Sequence, residues 1–269
     1  MVRLWLTRRW IIGTIAAILF AVACFYLGRW QWSRYEDKQV KVTAIASNYD
    51  APPVPLLTAL PGASLSPQRQ WTHVTLNGTY VQDADLFVRN RTQDATVGFQ
   101  VLTPVRAEDG TTLLVDRGWV PNAPEAETIP PVDPPPTGSV ALTGWLRTGE
   151  PSLGRDLPPP QLASISIDEA RAQLPEVGTA DVYLVLGSQS PPAVKGPHPL
   201  SLLPRPVEDL GPHQAYAIQW WITMPGGLVF VIWAIRREFL QTSPERPVPT
   251  KPAGPARPKK VRIWDEEDY

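Results

Sequence analysis

Cysteine is almost missing from this chain of 269 residues: the only one, Cys24, lies inside an apolar run. No internal disulfide and no cysteine-based metal site can form, and cysteine usage is silent on redox compartment. Histidine is scarce too, and His73, His198 and His213 are spaced too far apart for any pair of them to form a metal-binding motif. Neither charge sign is in excess, with 25 Lys and Arg against 26 Asp and Glu, so there is no basic field that would make nucleic acid a partner. No repeat recurs at a period of about 20 to 50 residues. Also lacking is any nucleophile beside a base, carboxylate dyad or phosphate-cradling glycine loop, and an enzyme is therefore not expected. Asp83 and Asp85 flank an alanine between two strand runs and read as a solvated turn. Asp116-Arg117-Gly118-Trp119 closes a strand run and reads as a structural ion pair rather than a docking point.

What is plentiful is proline, at 32 residues, and tryptophan, at 11. Tryptophans gather around two apolar runs, as interfacial rings do at the ends of membrane spans. From Trp10 to Leu27 nearly every side chain is apolar or small, enough to cross a hydrocarbon core as a helix. Ala23-Cys24-Phe25-Tyr26 offers no small-x-small cleavage site, which favours a retained span over a signal peptide. The second run, Ala215 to Ile235, is interrupted only by Gln219, Thr223 and Pro225-Gly226-Gly227, which a membrane helix can accommodate. Arg236 and Arg237 close it, placing the C-terminus in the cytoplasm and the segment between the spans outside. The expected layout is a cytoplasmic N-terminus over 1–9, a first span over 10–28 and an extracytoplasmic domain over 29–212. A second span with its interfacial start covers 213–236, and a disordered cytoplasmic tail covers 237–269.

The fold class expected is membrane-anchored α+β, with two transmembrane helices bracketing a mainly antiparallel β domain, a small barrel being one form that fits. Beyond Gly28 no proline or glycine appears until Pro52, so the first helix continues outward to about Ala46. Phe99 to Val105 and Thr111 to Val115, joined through Asp109-Gly110, predict a hairpin. Further strand runs lie at Trp71 to Tyr80, Leu86 to Arg89, Val140 to Leu146 and Tyr183 to Leu186, and Ser166-Ile167-Asp168-Glu169 predicts a capped helix. Proline clusters at 130–136, 158–160 and 191–199 read as rigid surface spacers, recognition of a ligand by them being the alternative.

His213 follows Pro212, which can open a helix, at the outer edge of the second apolar run. On a helical period His213, Tyr216, Ala217 and Trp220 share one face, an imidazole beside flat apolar surface that would suit a haem. Taken alone, an interfacial histidine is more often a polar anchor. On the outward extension of the first helix, Leu27, Gln31, Arg34 and Lys38 fall on one face, where cations could meet acidic groups such as haem propionates or could simply snorkel.

Several strings in this order resemble the surfeit-locus-1 family of cytochrome c oxidase assembly factors. They are Leu27-Gly28-Arg29-Trp30-Gln31 with Arg34 and Lys38, Gly78-Thr79-Tyr80, Gly98-Phe99, Leu114 to Pro121, Gly144-Trp145-Leu146-Arg147, and His213 to Trp221. The resemblance implies a part in maturing haem-copper oxidase, with haem a as the cofactor handled and His213 at the position of the family's histidine before the second span. Gly211-Pro212 stands where that histidine is often preceded by asparagine. The site implied is His213, Tyr216, Trp220, Arg34, Gln31 and Lys38, with His213 as the haem iron ligand. The partners implied are oxidase subunit I, other oxidase or haem a biosynthesis proteins, and membrane lipid. Without an Arg-rich, Ser-rich transit peptide, a bacterial plasma membrane is the expected location. A structural accessory subunit that binds oxidase without haem, and an enzyme acting on a membrane-soluble substrate, are the alternatives.

Overall fold

The computed structural model describes residues 5–62, 64–124, 128–178, 180–193 and 196–242. Most of the tail expected to be disordered, 243–269, lies outside them. A helix α1 (Arg8–Asn48) opens the fold, and its 41 residues at about 1.5 Å each reach roughly 60 Å, twice the thickness of a hydrocarbon core. It runs this far because nothing between Gly28 and Pro52 interrupts it. The chain then divides into two compact units, residues 32–214 and a helical unit made of residues up to Gln31 and from Ala215.

Within 32–214 the strands are β1 (Val54–Pro55), β2 (His73–Tyr80), β3 (Leu86–Gln93), β4 (Thr96–Ala107), β5 (Thr112–Pro121), β6 (Ser139–Thr148), β7 (Gln161–Leu162) and β8 (Val182–Ser190). The order β2-β6-β8-β5-β4 closes on itself because β2 also pairs with β4, Gly78 opposite Ala107 and Tyr80 opposite Val105. The result is the small barrel: five strands, all neighbours antiparallel except β5 and β8. Strict alternation explains it, since Val74, Leu76 and Tyr80 of β2 and Val140, Leu142 and Leu146 of β6 point inward while their neighbours stay outside. The predicted Asp109-Gly110 hairpin joins β4 to β5, with Gly110 at φ +86°. A second hairpin, β3 to β4, turns at Asp94 and Ala95, both at positive φ. A helix α2 (Leu56–Ala59) and a helix α3 (Ile167–Gln173) complete the unit. Ser166 caps α3 by accepting from the Glu169 amide at 3.3 Å. Ile165, Ile167 and Ala170 cover Leu102, Leu114 and Val185, so β5 is buried on both faces.

The end of α1 is clamped to the barrel by rings. Tyr49 stacks on Trp145 at 4.2 Å, Trp145 on His73 at 5.3 Å, and the Trp145 indole donates to the Tyr49 carbonyl at 2.9 Å. Arg205, far along the chain, lies over Tyr49 at 4.7 Å and holds Asp50 with both carboxylate oxygens, at 3.0 and 2.8 Å.

In the helical unit the second apolar run forms two pieces, α4 (His213–Thr223) and α5 (Gly226–Thr242). Where a continuous helix was expected, Pro225 lacks an amide hydrogen and would crowd the carbonyl four residues back, so α4 ends at the Met224 amide bonding Trp220, and Val229 bonding Pro225 starts α5. The helix α1 and this pair are each long and apolar enough to cross a membrane. Trp10 and Ala17 pack on Val231 and Ile235, and a Cβ on Gly28 would lie 2.2 Å from the Trp221 Nε1. Small residues thus let these backbones close together.

Candidate functional site

The residues expected at a haem site divide between the two units, and each side has a definite geometry. Among residues 32–214, α4 begins at His213 itself, preceded by Gly211 in the left-handed region at φ +63°. The Gly211 amide donates to Asp209 at 2.8 Å, fixing the turn. A Cβ at Gly211 would meet the Lys38 Nζ at 2.9 Å and the His213 Cδ2 at 3.7 Å, so an ammonium and an imidazole flank the same backbone position. Arg34 is solvent-exposed and lies 3.9 Å from Asp37, one turn on. That ion pair is loose, and the guanidinium is available to a stronger anion. In the helical unit Tyr216 is 47% exposed, Trp220 is half-buried and Ala217 is fully buried. Ala217 therefore serves close packing, on the same stripe as Trp221, which sits against Gly28. Gln31 is half-buried on α1. The other two histidines are structural: the His73 ring bonds the Ala51 carbonyl at 2.9 Å and the His198 backbone is tied to Asp133. Among the described residues no group of three or more His, Cys, Asp or Glu side chains is placed to hold a metal ion.

A second polar centre lies at one end of the barrel, built by Asp116-Arg117-Gly118-Trp119. The β5 register slips here against β4 and makes Arg117 the extra residue of a bulge, which turns its side chain inward, 5% exposed. Its Nη1 lies 3.5 Å from Asp85, its Nη2 donates to the Asp133 carbonyl at 2.8 Å, and its charge stands 5.8 Å from the Tyr80 ring. The ion pair read within this string thus forms with Asp85 instead of Asp116. Asp85 also accepts from Thr103, so it is a fixed member of the centre and only its neighbour Asp83 is a turn residue, at φ +58°. Gly118 takes φ +138°, and a Cβ there would lie 2.5 Å from the Ser201 carbonyl. Only glycine meets both demands. Trp119 pairs with Ser201 through backbone bonds of 2.7 and 2.9 Å. The Asp133 carboxylate accepts from the Gly196 and His198 amides, each at 3.0 Å, and the proline-rich 196–202 segment is thereby strapped onto the barrel.

Asp116 itself is fully buried. Burial is the main cause that pushes its carboxyl up to about 8, partly offset by the Gly118 amide and Arg91. Its Oδ2 has no hydrogen-bond partner among the described residues. Nearby, Glu150 is half-buried, yet its bonds to Arg91 and the Ile165 amide outweigh burial and hold it below the usual carboxylate range. Burial pushes the Tyr183 phenol up to about 12 and raises that of Tyr80 as well.

The model of the SURF1 family matches residues 18–224, from the first helix to the end of α4. The chain belongs to the SURF1 family. An uncharacterized SURF1-like protein of Mycobacterium bovis is 33% identical over 257 residues, covering 90% of each chain, and one of Mycobacterium tuberculosis matches to the same extent. The cytochrome oxidase assembly protein SHY1 of Saccharomyces cerevisiae is 27% identical over 109 residues, 39% of this chain and 28% of that one. In this SURF1 family chain the strings that carry the resemblance acquire physical roles: Gly28 admits Trp221, Tyr80 and Arg117 meet at the barrel end, and Trp145 stacks on Tyr49. Sequence reasoning missed Asp85 and Asp133 as partners in that centre. The signal available was Arg117 beside a glycine, within a strand that runs on to Pro121, which marks a bulge but does not name what the arginine meets.

Proposed function

We propose that this SURF1 family protein is a non-enzymatic assembly factor for haem-copper cytochrome c oxidase that holds haem a for insertion into subunit I. It works in a bacterial plasma membrane with both termini cytoplasmic and the barrel outside. The oxidase role is supported by the similarity to SHY1, named as an oxidase assembly protein, and the bacterial setting by the mycobacterial relatives. The observation that carries the haem reading is that the Lys38 ammonium and the His213 imidazole flank Gly211, a cation and an aromatic nitrogen ligand together at the start of α4. Haem iron accepts an imidazole, and its propionates accept charge-assisted hydrogen bonds from cations. His213 supplies the first group; Lys38 and Arg34 supply the second, and the helix faces read from the sequence offer Tyr216, Trp220 and Gln31 as further flat and polar groups. Subunit I is the principal partner, with other oxidase or haem a biosynthesis proteins acting before it.

Absorbance of the protein purified from haem a-producing cells tests this reading. Wild type should carry haem a, His213→Ala should retain the membrane-inserted fold and lose it, and Lys38→Ala or Arg34→Ala should retain part. Unchanged haem a content and spectrum in His213→Ala would sink the proposed ligand. A wild type devoid of haem that still copurifies with oxidase would replace it by the accessory-subunit reading. Alkaline phosphatase fused after Gly110 should be active, and fused after Leu240 inactive; the opposite pattern reverses the orientation.

A further inference from the structure

A cavity of about 370 Å³ opens at the barrel end beside Arg117, lined by four consecutive residues of β8, Leu186 to Gln189, and by Leu200 and Leu202 of the strapped segment. Leu186 to Gln189 face it together because β8 bulges at Gly187 against β6, and its other edge is open there. The pairing explains why that edge is open. On one side β8 pairs with β6 out to Ser190, but on the other its pairing with β5 stops at Val185, where β5 bulges at Arg117 and turns to Ser201. Among the described residues nothing continues the sheet along 187–190 on that side.

The polar groups at the cavity select what it takes. Arg117 is already matched by Asp85 and the Asp133 carbonyl, and Asp133 also lines the cavity, so the guanidinium is not left over for an anionic ligand. Gln189 accepts from the Tyr80 hydroxyl at 2.9 Å through its Oε1, while its Nε2 is buried with no partner among the described residues. That leaves a donor just beneath the wall that a neutral acceptor would satisfy by drawing it outward, among walls formed by Leu186, Leu200 and Leu202.

We infer that this edge of β8 receives an uncharged, apolar peptide segment of a partner protein as an added strand. A peptide carbonyl bonds the Gln189 amide, backbone groups pair along 187–190, and an aliphatic side chain enters between Leu186 and Leu202. The inference stands apart from the haem reading: it uses Tyr80, Arg117 and Gln189, none of which belongs to that site.

The probe is a fluorescent, end-capped Thr-Val-Leu-Val-Thr peptide titrated into the full chain in nanodiscs, read by anisotropy. Saturable binding is expected to wild type and to the distant surface variant Leu153→Asp. Leu202→Asp, which places a charge on an exposed rim residue with little risk to folding, should weaken binding about tenfold or more, and Gln189→Leu about fivefold. The same peptide N-methylated at alternate amides should not bind. Absence of saturable binding to wild type, equal binding by Leu202→Asp, or equal binding of the N-methylated peptide would each overturn the added strand. Competition by capped leucine N-methylamide as strong as by the peptide would also overturn it, in favour of a site for a single small amide. Haem a content of the same samples, read separately, reports on the other site.

Discussion

In the barrel many large side chains are hidden, Tyr80, Leu102, Leu114, Leu142 and Leu146 having almost no exposed surface, whereas along α1, α4 and α5 most large apolar side chains face outward. There Leu19, Phe20 and Phe230 are exposed, and small residues such as Ala17, Cys24 and Ala217 are tucked away, as are Trp10, Val231 and Ile235. In the first unit water is excluded by large residues turned inward, at about 25 cal/mol per Å² of apolar surface covered. In the second, apolar solvent is supplied from outside, leaving close approach and van der Waals contact to hold the helices together. The two regions therefore fail by different routes: the barrel through uncompensated polarity and the helices through bulk.

Arg117→Met should separate them most sharply. It strands Asp85 beside an apolar chain end, and loss of one partner from a buried pair costs about 3–5 kcal/mol. The barrel should unfold at markedly lower denaturant in protease-protection assays while the helices stay membrane-inserted. Titration of Asp116 probes the same polarity without a gross mutation. Its carboxyl rises from 3.8 unfolded to about 8 folded, so the folded chain holds an extra proton between those values and stability falls as pH rises across that window. The full loss should amount to a few kcal/mol, and Asp116→Asn should flatten the slope of unfolding free energy against pH. A slope unchanged in that variant would assign it to other groups. On the helical side, Gly28→Leu should displace the Trp221 indole at a cost of about 1–3 kcal/mol, seen as a shift in tryptophan emission with barrel stability intact. Smallest of all, Ser166→Ala removes the cap of α3 and should lower barrel stability by about 1 kcal/mol.

Much of the barrel was legible because its signals are local. Strand runs marked β2 and β6, Asp109-Gly110 marked the central hairpin, and an unbroken run free of proline and glycine marked α1. What escaped was set by partners far along the chain. Asp94-Ala95 turns a hairpin without glycine because the flanking strands impose the positive φ. The prolines around 191–199 read as a spacer, yet Asp133, more than sixty residues earlier, binds the 196–198 amides. The candidate haem site was legible as helix faces, with His213 heading α4 where Pro212 suggested. The approach of Lys38 to Gly211 was not, since a lysine on a helix says nothing of which distant turn its ammonium will reach.

The hold of Arg205 on Asp50, one nitrogen shared by both carboxylate oxygens, joins two points 155 residues apart. Everything the barrel unit contains between them is thus a cassette with its two ends pinned together. A designer could excise residues 51–204, bridge Asp50 to Arg205 with a short flexible loop, and ask of the remnant whether two helices and the histidine at the head of α4 suffice for the membrane half of the work.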